Sequence, residues 1–164
     1  MVLDSKNEGN KLIIKFNDPE TKNAITANDW IELRKELQAF DKSDLKYLIL
    51  SHANGNFSSG AQLGENVNAL MDDVSAAAQT LWDCRKPVIS IVDGICAGAG
   101  SNMILLSDFI IATPTTRFIE VFARRGLVVD FAGSWMLPRI IGIQKAKELM
   151  MTTDEIDGLL MEKL

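Results

Sequence analysis

Two kinds of hydrophobic pattern alternate along the chain. KLIIKF (11–16), LKYLILSH (45–52), KPVISIVDG (86–94) and FIIAT (109–113) are short apolar runs rich in β-branched residues, which predicts strands. Trp30, Leu33, Leu37 and Phe40 recur at spacings of three and four and predict a helix, with Thr26 or Asn28 placed to cap it. VNALMDDVSAAAQTLWDC (67–84) and SNMILLSD (101–108) read as helices, and FAGSWMLPRIIG (131–142) and IQKAKELMMT (143–152) as two shorter ones. The unbroken apolar run in 86–94 predicts a strand buried on both faces. NDPETKNAIT (17–26) is turn chemistry, and ANGNFSSGAQLG (53–64) is a loop of small and polar residues. No low-complexity tract or sequence repeat is visible. Strands alternating with helices predict an α/β fold with a largely parallel sheet.

Small residues concentrate at two strand-to-helix junctions, FSSGAQL (57–63) and CAGAGSN (96–102). In such a sheet these junctions lie at the carboxyl ends of strands, where ligands bind. A helix N-terminus leaves main-chain N–H groups free, so two facing loops could each offer one N–H to the same oxygen, as an oxyanion hole does. Small residues there are expected to let a carbonyl group approach the main chain; tight packing alone is the plainer account. Gly94, Gly98 and Gly100 do not match the dinucleotide-binding glycine spacing, and no phosphate-binding P-loop motif occurs.

Composition narrows the classes. With 164 residues, 47% of them hydrophobic, the chain is read as one domain, 1–164, with enough apolar material for a core. A net charge of −5 argues against wrapping nucleic acid or lying on anionic lipid. Cys84 and Cys96 show neither metal-ligand spacing nor a disulfide framework, so a reducing, cytoplasmic setting is expected. The start MVLDSKNEGNK has no apolar signal core, and no run approaches a membrane span.

Other side chains carry weaker signals. His52, the single histidine, could be drawn into a Ser–His–Asp arrangement with Ser51 or Ser58, but a strand-end histidine is the simpler reading. Glu65, Asp72 and Asp73 offer oxygen ligands to a hard cation, and an exposed helix face explains them equally well. Arg124 and Arg125 read as surface ion-pair partners rather than anion ligands. The methionines of KELMM read as core or interface.

Four segments together resemble the enoyl-CoA hydratase/isomerase (crotonase) superfamily: NDPETKNAIT, FSSGAQL, KPVISIVDGICAGAGSNMILLSDFIIA, and FARRGLVVDFAGSWMLPRIIGIQKAKELMMT. Their order and spacing agree with that family over most of residues 11–152. The resemblance implies the crotonase (ClpP-like) ββα superhelix, assembled as a homotrimer or hexamer. It implies chemistry on acyl-CoA thioesters through an enolate, with coenzyme A entering as part of the substrate and no separate cofactor or metal. By position, Ala61 and Ala99 are the implied N–H donors to the thioester oxygen. Lys22, Ala24, Ser59, Ala61 and Leu63 are the implied path of coenzyme A.

Departures from the family pattern decide the expected reaction. The two positions where hydratases of this family carry glutamates are here Asn102 and Phe122, carried over as substrate-binding positions, with Glu120 only near the second. Asp130 falls where isomerase branches carry a catalytic aspartate, between Val129 and Phe131, an apolar setting that raises a carboxyl pKa on burial. Helix capping is the plainer role for Asp130. The loop between Glu65 and Lys86 is short for the family, and the C-terminal helical segment is reduced to a stub, 152–164. The expectation is an enoyl-CoA double-bond isomerase. A hydratase with altered acid/base residues and a non-catalytic acyl-CoA-binding or scaffold protein are the alternatives.

Overall fold

The computed structural model describes residues 2–64 and 67–164; Glu65 of the acidic group lies outside them. In chain order the elements are β1 (Leu3–Glu8), β2 (Lys11–Phe16), β3 (Ala24–Ile25), α1 (Ala27–Lys42), β4 (Tyr47–His52), β5 (Gly60–Ala61), α2 (Val67–Trp82), β6 (Val88–Val92), β7 (Ile95–Ala97), α3 (Ala99–Leu105), β8 (Phe109–Ala112) and β9 (Arg117–Ile119). A 3₁₀ turn (Val121–Arg125), α4 (Gly133–Ile141), α5 (Ile143–Thr152), β10 (Ile156–Asp157) and α6 (Gly158–Met161) complete the chain.

Two stacks of strands run side by side. The larger is a five-stranded sheet in the order β1-β2-β4-β6-β8, parallel from β2 to β8. The smaller stack is built from the short strands: β3 lies parallel to β5, Ser58 bridges to Cys96, and β7 lies parallel to β9. Each turn of chain supplies one long strand, one short strand and, in the first three turns, a helix. This is the ββα superhelix. The repeat is geometric and leaves little trace in the sequence, because the short strands are only two or three residues long.

The four expected long strands and the main helices form where the patterns place them. Trp30, Leu33, Leu37 and Phe40 are all buried on one face of α1, and Thr26 caps that helix in a reciprocal capping box with Asp29. Two expectations need correction. The strand at 86–94 buries Val88, Ser90 and Val92 but leaves Ile91 exposed, so only one face is fully covered. β1 was not expected, because LDSKNE is polar and almost wholly exposed. It forms through antiparallel pairing with β2 across the two-residue turn Gly9–Asn10, where Gly9 takes a φ of 60°.

No helix of the described residues is long and apolar enough to cross a membrane. Apolar side chains remain exposed along the β8 edge at Phe109 and Ile111, and near the C-terminus at Met151, Leu159 and Leu160; Met150 packs partly against the core.

The turn before β3 is clasped by Asn23, which is fully buried in the left-handed conformation, φ 61°. Its amide nitrogen donates to the carbonyl of Asn56 (2.6 Å), the carbonyl of Phe57 (3.2 Å) and Asn54 Oδ1 (3.1 Å). Its Oδ1 accepts from the Asp18 N–H (2.6 Å) and from Asn54 Nδ2 (2.8 Å). This one side chain ties the turn to the loop that carries β5. Asn23→Ala strands several buried partners, so it is expected to lower unfolding free energy by about 2–4 kcal/mol in urea denaturation. A loss below about 0.5 kcal/mol, the range of an ordinary surface change, would contradict this role.

Candidate active site

The two glycine loops meet main chain to main chain. A Cβ on Gly60, whose φ is 98°, would lie 2.9 Å from the Ala97 carbonyl oxygen, and one on Gly100 would lie 2.8 Å from Ser58 Cβ. Ladder bonds lock the contact: Ser58 N–H donates to Ile95 O (3.0 Å), and Ala97 N–H donates to Ser58 O (2.9 Å). The glycines therefore make room for the opposing loop. Tight packing, the plainer account, is met at Gly60 and Gly100, and Gly60 and Gly98 also line the cleft between the loops.

The consequence is a single cleft of about 330 Å³, with Ser59, Ala61, Leu63, Ala99, Phe122 and Asp130 among the residues that line it. Gln62 N–H donates to Ile25 O (2.9 Å), so strand alternation turns the Ala61 N–H to the side away from β3. Ala99 is the first residue of α3, and its N–H has no acceptor within that helix. Lys22 and Ala24 do not line the cleft. Lys22 is exposed, and its carbonyl accepts from Ser59 N–H (2.9 Å). Asn102 also departs from expectation: it is fully buried behind the cleft wall, where its Nδ2 donates to the Asp130 carbonyl oxygen at 2.9 Å.

Asp130 reaches the cleft by way of strained backbone. The next two residues, Phe131 and Ala132, both have left-handed φ, 45° and 60°. Such conformations cost on the order of 1–2 kcal/mol each for residues with a Cβ. Burial of Phe131, its ring 5.3 Å from that of Trp30, opposes that cost. The capping role is not the one seen: Ala132 is the N-cap of α4, and Asp130 contributes its carbonyl oxygen, accepting from Gly133 N–H (2.9 Å), rather than its carboxylate. The carboxyl is half-buried, and burial pushes its pKa up to about 6 against a hydrogen bond from its own main chain.

Behind Asp130 lies Glu120, fully buried at the end of β9. Burial, then the charge of Asp130, push its carboxyl to about 8; the Asn102 side chain, close by but outside hydrogen-bonding geometry, holds it back in part. Glu120 was visible in the sequence only as a neighbour of Phe122, since nothing in FIEVF marks it as buried. Arg125 was also read differently: it lines the cleft rather than serving a surface ion pair. Arg124 anchors the 3₁₀ turn through hydrogen bonds to Thr153 Oγ1 and O, both 2.6 Å.

The remaining candidates separate from the site. His52 Nδ1 accepts from Gly55 N–H (3.1 Å), while Ser58 is buried and donates to Asn23 O (2.7 Å), so they form no nucleophilic pair. Among the described residues no group of three potential metal ligands occurs.

Glu120 and Asp130 are both harder to ionise folded than unfolded. Each therefore opposes folding once it is charged. Stability is fullest below the ordinary carboxyl range and falls as pH rises through about 6 and about 8. Chemical denaturation across this range is expected to show that fall, and Glu120→Gln is expected to recover a few kcal/mol near pH 8. A wild-type profile that is flat from about pH 5 to 9 would refute the buried-carboxyl description.

Comparison with known proteins accords with this architecture. Residues 6–159 match the family model described as enoyl-CoA hydratase/isomerase. The chain is 34% identical over 157 residues to the trans-2-decenoyl-[acyl-carrier-protein] isomerase of Streptococcus mutans, a match covering 88% of this chain and 60% of that protein. It is 30% identical over 151 residues to a Rhodobacter capsulatus protein named "Probable enoyl-CoA hydratase", covering 88% of this chain and 58% of that one. A crystal structure of an enoyl-CoA hydratase/isomerase from Cupriavidus metallidurans superposes with a TM-score of 0.89 at 29% identity, covering 99% of this chain and 64% of that one. The chain thus spans about three-fifths of the length of these relatives. Named relatives include both hydratases and isomerases, and on the matching model, fold and cleft the chain belongs to the enoyl-CoA hydratase/isomerase family.

Proposed function

We propose that the chain acts on acyl-CoA thioesters as a double-bond isomerase. The observation that carries this reading is the placement of one carboxylate, Asp130, in the same cleft as Ala61 and Ala99, while the two positions that hydratases fill with glutamates hold a buried amide and a phenyl ring. In a 3-enoyl thioester, Asp130 removes a proton from carbon 2. The electron pair moves onto the thioester oxygen, which the N–H groups of Ala61 and Ala99 stabilise as a dienolate. The proton returns from Asp130 to carbon 4, which leaves the double bond between carbons 2 and 3. The step balances without a further reactant. A pKa of about 6 suits the base: it is ionised at neutral pH yet still basic enough to take the proton. Ser59, Leu63 and Phe122 would contact the acyl-CoA, and Lys22, exposed beside β5, would meet its phosphates.

Conversion of a 3-enoyl-CoA to the conjugated 2-enoyl-CoA tests the reading directly. Asp130→Asn is expected to lower kcat by about 10²–10⁴-fold with little change in CoA-ester binding. Wild-type kcat/KM is expected to fall as pH drops below about 6, where Asp130 takes up its proton. Hydration of a 2-enoyl-CoA that survives Asp130→Asn would select the hydratase alternative. Tight CoA-ester binding with no turnover of either substrate would select a binding role.

Self-association is proposed on separate grounds. Phe109, Ile111, Met151, Leu159 and Leu160 leave apolar surface of the kind that subunit contacts cover. A homotrimer is expected in sedimentation equilibrium, and Phe109→Glu with Ile111→Glu is expected to shift it toward monomer. A wild-type chain that sediments as a monomer would overturn the assembly.

A further inference from the structure

Asn102, Glu120 and Asp130 carry four buried side-chain atoms without hydrogen-bond partners among the described residues: Asn102 Oδ1, Glu120 Oε1 and Oε2, and Asp130 Oδ1. All four are acceptors. The amide of Asn102 cannot be turned over without losing the bond from its Nδ2 to the Asp130 carbonyl oxygen at 2.9 Å, and as it stands it has one further N–H to offer. Its side chain is also wedged against Gly133, where an added Cβ would lie 2.2 Å away. Within this cluster one remaining amide N–H faces four unpartnered acceptors, so any further donor must be a proton left on a carboxyl.

We propose that Glu120 is a positioning residue for Asp130, a neutral carboxylic acid that donates its proton to Asn102 Oδ1 and so fixes the amide holding the Asp130 main chain. The proposal rests on the reading of Asp130 as the catalytic base. Glu120 suits the role because it is fully buried, whereas Asp130 is half-buried and open to the cleft. The electrostatics agree. The other titratable group facing Glu120 is Cys96 on β7, a fully buried thiol that burial holds well above its usual range, with Glu120 adding to the rise. The ion pairs of the described residues all lie elsewhere. Arg124, which follows in the 3₁₀ turn, is engaged with Thr153. The pair would then hold one negative charge at neutral pH, on Asp130, and a proton on Glu120.

Two readouts decide it. In the first, the protein with ¹³C-labelled glutamate carboxyls is titrated by NMR without substrate, the Glu120 signal being assigned by its loss in Glu120→Gln. Glu120 is expected to stay protonated to near pH 8, the Asn102 side-chain amide signals to shift as it ionises, and Asp130→Asn to make Glu120 more acidic. Titration in the ordinary glutamate range, or Asn102 signals that ignore it, overturns the proposal whether or not the chain turns over substrate. In the second, kcat/KM for the isomerisation is followed with pH. Wild-type activity is expected to fall above about pH 8. Glu120→Gln, which keeps a donor for Asn102 and cannot ionise, is expected to retain activity and lose that alkaline fall. Glu120→Met is expected to lose about 10–100-fold in kcat with KM little changed. An alkaline fall that persists in Glu120→Gln, or a Glu120→Met variant as fast as wild type, overturns it. Failure of Asp130→Asn to impair turnover would instead remove the catalytic reading while leaving the NMR result standing.

Discussion

The cleft depends on how closely two loops can approach without side chains between them. Gly60 lies against the main chain of Ala97 and Gly98, and Gly100 lies against Ser58. A methyl group at Gly60 or Gly100 would come within 3 Å of the opposing loop, closer than packed atoms tolerate. Because the loops touch, the residue after Gly60 and the residue after Gly98 open into the same space. Ala61 and Ala99 are therefore placed by a steric requirement at their neighbours. The ladder bonds between Ser58 and the Ile95–Ala97 strand convert that close approach into a fixed register.

The short strands that carry these loops have too few bonds of their own to hold such a register. Two-residue strands are stable only as part of a larger stack, and here the stack is supported from outside. Asn23 supplies much of that support, since five hydrogen bonds converge on one buried amide. The large sheet behind contributes the apolar mass, with Phe16, Leu48 and Leu50 all fully buried and Phe57 of the loop packed on Phe16. Rigidity at the cleft is thus borrowed from a clasp and a core several residues away in sequence.

Against this rigid frame, the carboxyl pair is set in opposition to folding. Desolvation is the first cause of the raised pKa at both Glu120 and Asp130, and the charge of one adds to the burden of the other. The left-handed pair Phe131–Ala132 adds local strain at the same place. Unfavourable groups gathered at one site mark a candidate for function, and they suit the base proposed at Asp130, whose pKa and orientation water would not supply.

Much of this was legible from residues alone. Periodicity located the four long parallel strands and the main helices, and Thr26 marked the start of α1, because local hydrogen bonding and one-sided burial leave a signal within a few residues. The glycine loops located the cleft, and the apolar neighbours of Asp130 foretold a carboxyl set apart. Several features had no local signal. β1 is polar and exists only through its partner strand; the short strands are too brief to show a period; and Ile91 looks as apolar as its buried neighbours. Nothing in the chain reveals that Asn102 faces inward, that Glu120 is fully enclosed, or that Gly60 and Gly100 each pack against the opposing loop. Those facts depend on which distant segments come together. Burial and close approach are properties of pairs of segments, so only the tertiary structure could decide them.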